Sequence, residues 1–531
     1  MTDATARQWI DNIERADDVV RRGAGFGHVS VVTGSVRESE YWRSRLTATA
    51  ADVLGPASSV SAVTETTPRG NFFGTVAAWT ALGTTLRKHD LSALAMVFGA
   101  GKRLSPFTQA LGNCKAALPT PKRGVHTDAY LTAAELALLH AGTWAAHLRD
   151  SGFRGVIVKW GDEAIVSGMH WPAAAPSLAD VDAVRFVWTR EPDETLAREK
   201  DWLIIDNQTG LLLDEVTRQP LQDLRDRAAE LATGEVRLAV NLGSLAVTTE
   251  VLDVAVEILG NDMISRADWD PFVWMALCQP DRQAWERALE RENRSGRTAL
   301  AKFVEALPGV FDDLHRVRRE IERRRGRPLR IATLDFGQPL WIDFGLHASL
   351  RAWLEPLPSR SEHGRVLRTF FGIDGEPDAA GNLIIRSRVP AAAAIRDSLI
   401  VDSEIDGAGS SAQHAVIVGS RLGSATMPDG GAALFSTAEE LIAERDSIAF
   451  RAVGDRLQLP RGSRMTSLFT EAGSLPMMSN ESLTSYDGPA FDEPVLGNPI
   501  SFRRAAELMA GSDPEEVERR WRAASESARR G

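Results

Sequence analysis

The chain has 531 residues, beyond the size at which one hydrophobic core keeps growing, so it divides into two or three domains. With 44% hydrophobic and 25% charged residues it has the make-up of a folded globular protein, which excludes a disordered, collagen-like or coiled-coil chain. Its 61 basic and 72 acidic residues leave a formal charge of −11, and no block of like charge is longer than Arg323 to Arg325, so small-molecule partners are expected rather than nucleic acid. Cys114 and Cys278 provide no disulfide framework, and no run of about 18 apolar residues or signal-like apolar core occurs. A cytoplasmic protein without membrane contact is the expectation. Only seven basic residues are lysine, and Lys102, Lys115 and Lys122 fall close together. Because guanidinium replaces ammonium poorly where a compact charge must reach phosphate, that clustering points weakly to chemistry.

In chain order, Met1 to Arg22 predicts a helix, Val29 to Val32 a strand ending at Thr33-Gly34-Ser35, and Glu38 to Leu54 a second helix. Pro68 to Asn71 signals a turn, Thr75 to Leu86 a helix, and Leu94 to Phe98 a buried strand running into Gly99-Ala100-Gly101. Strands at Gly155 to Lys159, Val184 to Trp188, Trp202 to Asp206 and Arg237 to Val240 alternate with helical stretches such as Ala133 to Ser151 and Gln222 to Thr233. That alternation predicts an α/β domain with a largely parallel sheet. Asp281 to Arg327 reads as an inserted helical subdomain with Trp285, Leu289, Leu300, Phe303, Leu307, Phe311 and Leu314 as its apolar stripe. A strand pair, Leu329 to Leu334 with Leu340 to Phe344, and a helix from Ser349 to Leu354 follow.

Past residue 375 the pattern turns to short strands, with the next long helix expected from Thr437. The stretches Ser398 to Asp406 and Ala415 to Gly423 match at an offset of 17 residues, as coils of a β-helix would. A plain β-sandwich is the alternative. The tail from Ser463 has a Ser-, Gly- and Pro-rich loop and then a charged amphipathic helix from Pro499, read as packing or homo-oligomerisation material or as bland surface.

The chemistry-bearing stretch is Phe98-Gly-Ala-Gly-Lys-Arg-Leu-Ser-Pro-Phe-Thr108, a strand end followed by glycines that let main-chain N–H groups approach phosphate. Neither the dinucleotide Gly-x-Gly-x-x-Gly nor the P-loop Gly-x-x-x-x-Gly-Lys-Ser/Thr is present, and no Gly-x-Ser-x-Gly elbow or His-Glu-x-x-His helix supports a hydrolase. His126, His170 and His347 read as structural side chains, and Trp160 and Trp341 as core.

Gly101 to Thr108 resembles the sugar-1-phosphate nucleotidyltransferase loop Gly-Gly-x-Gly-Thr-Arg-Leu-x-Pro-Leu-Thr. It departs at Phe98, Lys102 and Phe107, and the family's Pro-Lys-Pro lysine corresponds to Lys115. The fucose-1-phosphate guanylyltransferase branch is more similar still, through Val31 to Ser35, Glu40 to Trp42, Gly70 to Thr75 and Leu111 to Pro119, over roughly residues 27 to 425. The resemblance implies a Rossmann-like nucleotidyltransferase domain with a mixed sheet over 1–370, helical insertion 281–327, a β-helix-like domain over 371–436 and a helical and loop extension over 437–531.

For the site, the resemblance implies nucleotide binding by Gly99, Ala100 and Gly101 and catalytic roles for Lys102, Arg103 and Lys115. It also implies Mg²⁺ on Asp162 of Val156 to Asp162 and on Asp343 of Trp341-Ile-Asp-Phe-Gly345, with Glu163 as an alternate ligand. The sugar is expected at Asn241 and Gly243 of Ala239 to Gly243. Arg218 is expected to meet the sugar phosphate, because Gln219 stands where the family carries lysine. The implied reaction joins an NTP, GTP ahead of ATP, to a sugar or cyclitol 1-phosphate with release of pyrophosphate. A catalytically degenerate nucleotide-sugar-binding or regulatory protein is the second reading, and a β-helix acyltransferase a distant third.

Overall fold

The computed structural model describes residues 3–65, 70–99, 101–171, 177–231, 234–266, 273–294, 299–483 and 489–528. The chain is α/β. Its strands up to residue 343 are β1 His28–Thr33, β2 Ser59–Thr64, β3 Leu91–Met96, β4 Pro119–Arg123, β5 Tyr130–Thr132, β6 Gly155–Trp160, β7 Glu163–Val166, β8 Ala183–Thr189, β9 Asp201–Asp206, β10 Leu212–Thr217, β11 Val236–Val247, β12 Ile331–Asp335 and β13 Leu340–Asp343. Nine of them form one sheet in the order β10-β9-β11-β6-β3-β1-β2, with β8 on β11 and β12 on β8.

The sheet is mixed rather than largely parallel. β1, β2, β3 and β6 run parallel, as crossover helices allow, whereas β11 is antiparallel to β6, β8 and β9. The cause is visible at β9 and β10, joined by a turn too short for a crossover. There Asp206 accepts hydrogen bonds from the Gln208 and Thr209 N–H groups at 2.9 and 2.8 Å.

The expected pairing of Leu329–Leu334 with Leu340–Phe344 does not occur. β12 pairs parallel with β8, and β13 pairs antiparallel with β7. Phe336 in the connector is buried against Trp144, Trp171 and Phe186, and it draws the two strands apart. The helix expected from Glu38 to Leu54 breaks into Val36–Ala48 and Ala50–Val53, where the Thr49 hydroxyl lies 3.0 Å from the Arg45 carbonyl and 2.6 Å from the Glu135 carboxylate. Of the turn expected at Pro68 to Asn71, Pro68 and Arg69 lie outside the described residues, and helix Gly70–Leu86 begins at its glycine.

Alternation along β6 builds two cores. Ile157 faces helices Asp3–Arg21 and Ala133–Asp150, while Val156 and Val158 face Phe72, Phe73 and Val76. Helices Arg282–Arg294, Ala299–Ala306 and Val310–Arg325 join that second core through Trp285, Leu300, Phe303 and Phe311, so the helical insertion covers one face of the sheet rather than standing apart.

Beyond residue 380, Leu383 pairs in parallel with Leu399, Leu399 with Val416, Val416 with Ala432 and Ala432 with Ile448. The repeat seen in the sequence is therefore a strand register. Buried serines tie successive steps: Ser398, Ser420 and Ser436 accept from the N–H groups of Ala415, Ser436 and Ala452 at 3.1, 3.1 and 3.2 Å. The helix expected from Thr437 is strand Thr437–Ala443, wedged between Arg421–Met427 and Val453–Leu459, a case of tertiary pairing overriding helix-forming composition. The parallel pairing continues past residue 436 to Met465, before an antiparallel hairpin of Ser463–Thr470 with Gly473–Asn480 and the helices Phe502–Met509 and Pro514–Ala528. Among the described residues no helix is long and apolar enough to cross a membrane.

Burial holds His140 down to about 3, with the Lys122 charge adding to the effect, and it holds His347 down to about 4 from the usual 6.5. The unfolded chain takes up these protons below pH 6.5 while the folded one refuses them. Stability therefore falls on acidification from 6.5 towards 4, by about 1.4 kcal/mol per pH unit for each histidine. His140→Phe, which keeps the stack on Phe370, is expected to flatten this acid limb in urea titrations; an unchanged slope would remove His140 as a cause.

Candidate active site

β1, β3 and β6 end on one edge, with Val32 level with Met96 and Met96 level with Trp160. The N–H of Val97 donates to Val32 O at 3.1 Å and that of Gly161 to Met96 O at 2.9 Å, which sets the Phe98 loop beside the Gly161-Asp162 turn. Ligands of open α/β sheets bind at this carboxyl edge. Gly99 and Gly101 take φ of +115° and +54°, and a Cβ on Gly101 would lie 2.6 Å from Thr108 Oγ1 and 3.1 Å from Lys115 Cβ. Only glycine fits there. Ala100 lies outside the described residues. The loop is anchored from behind by buried Leu104 and Phe107 and by His347 Nε2, 2.8 Å from Ser105 O, while Gly99 and Arg103 stay exposed at the rim.

Asp162 and Asp343 converge. A Cβ placed on Gly345 would be 2.9 Å from Asp162 Oδ2 and 3.1 Å from Asp343 Oδ1, so the two oxygens are no farther apart than those distances combined. Lys115 Nζ reaches Asp162 Oδ2 at 2.6 Å, and the Gly345 N–H donates to Asp343 Oδ1 at 2.7 Å. Burial first, and then the Asp162 charge, push the Asp343 carboxyl above its usual range, against the pull of the Gly345 N–H, Arg103 and Lys115. Arg103, Lys115, Asp162 and Asp343 thus act electrostatically as one cluster. Among the described residues no three His, Cys, Asp or Glu side chains gather around a common point. Two crowded carboxylates fit Mg²⁺ nonetheless, because that ion takes one or two protein carboxylates and completes its shell with water and substrate phosphate.

Glu163 is opposite Asp343 in the β7–β13 pair. Its oxygens accept from Trp341 Nε1 at 2.9 Å and from Lys159 Nζ at 3.3 Å, and so it serves as a buried brace rather than an open ligand. Gly243, at φ +78°, closes on this wall, since a Cβ there would come within 3.5 Å of Trp160 Nε1 and 3.8 Å of Glu163 Oε1. Asn241 accepts the Gly243 N–H at 3.1 Å and donates to Glu215 at 3.2 Å, itself clamped by Arg185 at 3.0 Å. Arg218 pairs with Asp201 at 3.3 Å, and buried Gln219 donates to Glu292 at 2.7 Å.

Trp160 and Trp341 are half-buried and pack against the core as expected, the first against Phe98 and the second with Lys200 Nζ 4.6 Å from its ring centroid. Two features were missed from the sequence. Lys159 is wholly buried behind Glu163. The second is the reach of the tail: Phe491 lies under Lys102 Nζ at 5.1 Å, and Asn113 Nδ2 donates to Ala506 O at 2.8 Å. Rarity of lysine was the signal available for both, through Lys159 and Lys102.

The comparisons leave the family open: no protein-family model matches the chain, and no curated protein matches it.

Proposed function

We propose that this chain is a Mg²⁺-dependent sugar or cyclitol 1-phosphate nucleotidyltransferase, with GTP favoured over ATP through the resemblance of its loop and flanking segments to the fucose-1-phosphate guanylyltransferase branch. The observation that carries the reading is the meeting of Asp162, Asp343, Lys115 and Arg103 at the carboxyl edge of the parallel strands. On this reading the nine-stranded sheet and its helices are a Rossmann-like catalytic domain, and the parallel steps of 16 or 17 residues are a β-helix-like domain.

The reaction forms a bond between a sugar phosphate oxygen and the α-phosphorus of the NTP and breaks the bond to the β-phosphate oxygen, releasing pyrophosphate. The attacking oxygen is ionised at neutral pH, so the barrier is anion repulsion and alignment rather than proton removal. Gly99 and Gly101 let main-chain N–H groups approach the triphosphate, and Arg103 and Lys102 meet the charge that builds on the leaving group. Lys115 serves the α-phosphate and holds Asp162 in place. Asp162 and Asp343 would hold Mg²⁺, which would supply positive charge against the repulsion of the reacting phosphates. Trp160, Trp341 and Gly243 shape the sugar side.

The test is pyrophosphate release across a panel of triphosphates and sugar or cyclitol 1-phosphates, with and without Mg²⁺; no release with any pair would sink the reading. The placement of Gln219 on Glu292, where the resembled family has a lysine, favours the second reading of a degenerate sensor. Calorimetric binding of a nucleotide sugar without turnover would select it. If the Phe491 ring positions Lys102 for the triphosphate, Phe491→Ala raises KM for the NTP about 3- to 30-fold with a smaller change in kcat, and Phe491→Trp restores it.

A further inference from the structure

A second charged centre is at the seam where the tail helix Pro514–Ala528, the parallel-strand region and the α/β region meet. A cavity of about 450 Å³ opens there, lined among others by Arg421, Arg451, Arg522, Glu518, Trp521 and Tyr130. Its wall on the parallel-strand and tail side is crowded with like charge. Arg451 is 4% exposed, its Nη2 stands 3.5 Å from Glu518 Oε2, and its guanidinium packs 4.9 Å from the Trp521 ring centroid. Its Nε has no hydrogen-bond partner. Arg522 pairs with the same Glu518, and Arg421 makes no ion pair among the described residues. One half-buried carboxylate therefore serves two arginines, with a third beside them, and the other acid on this wall, Glu526, is exposed. The acids across the cavity do not relieve this, since Asp128 and Asp402 are already taken by Arg123, and Asp402 also by Arg386.

A buried guanidinium with like-charged neighbours is costly unless an anion offsets the charge, and guanidinium forks suit phosphate oxygens. We propose that this seam cavity binds a small phosphate-bearing anion at Arg421, Arg451 and Arg522, apart from the Asp162–Asp343 centre and independently of the transfer reading. The site touches that centre at one point, because Ala117 on its lining belongs to the single turn Lys115–Ala117.

Titration calorimetry of the full chain with inorganic phosphate and with phenyl phosphate tests it. Saturable binding of at least one probe at the seam is expected, separate from any phosphate taken up at the Arg103 loop. Arg421→Ala, at an exposed position, is expected to weaken it at least about tenfold, and Arg103→Ala to leave it unchanged. Tighter binding of phenyl phosphate would identify an organic monoester as the ligand, and equal or tighter binding of inorganic phosphate would identify the free ion. Arg451→Met should act like Arg421→Ala if it folds. No binding of either probe, binding untouched by Arg421→Ala, or binding lost instead in Arg103→Ala would each overturn the proposal.

Discussion

Asp162→Asn and Arg103→Ala are each expected to cut pyrophosphate release about 10²- to 10³-fold while leaving the urea midpoint close to that of the parent chain. Asp162 is the hub of the site. Its carboxylate meets Lys115 Nζ at 2.6 Å and faces Asp343 across Gly345, and its main-chain oxygen accepts from the Phe344 N–H at 2.8 Å. The amide keeps shape and main-chain bonding and removes the charge that both Lys115 and a divalent ion require. Arg103 contributes from an exposed position and its charge acts on Asp343, so a loss of rate in a variant whose urea midpoint is unchanged reports electrostatics rather than folding. Turnover near that of the parent in either variant, from a preparation shown to be folded by circular dichroism, would remove the transferase reading.

The parts of this site that could be read from sequence lie within a few residues of a strand end. Gly101 to Thr108, Asp162 and Asp343 each follow an apolar run, and an apolar run that stops at glycine or aspartate marks a sheet edge whatever the strand order is. What sequence could not supply was pairing between distant segments. The union of β7 with β13 puts Glu163 opposite Asp343 and turns it from an alternate metal ligand into a partner of Trp341 and Lys159. The same long-range register sends β12 to β8, and it makes Thr437–Ala443 a strand despite its Glu, Leu and Ala content. Phe491 was unreadable for a different reason, because a single aromatic in a Pro- and Gly-rich tail carries no periodicity. Arg218 and Gln219 show the same limit. The resemblance put Arg218 at the sugar phosphate in place of the lysine missing at Gln219, and the long-range partners of the two, Asp201 and Glu292, could not be read from the motif.

Lys159→Met is expected to destabilise the fold by about 3 to 5 kcal/mol, read as a lower urea midpoint, because it leaves the Glu163 carboxylate buried with its cation gone. Lys159 is wholly buried, donates to Trp160 O at 2.9 Å and to Glu163 Oε1 at 3.3 Å, and lies 5.6 Å from the Trp144 ring centroid. Burial pulls its pKa down and pushes that of Glu163 up, so each charge persists through the attraction of the other. Methionine fills the volume, and the loss therefore measures charge rather than a cavity. The double variant Lys159→Met with Glu163→Gln should recover much of the loss, since both positions are then neutral and the new side-chain amide oxygen can still accept from Trp341. A double-mutant cycle with no coupling between positions 159 and 163 would show that the pair holds nothing together. A coupling that returns stability without returning turnover would instead assign the pair to holding Trp341 and the Asp162 turn in register at the carboxyl edge of the sheet.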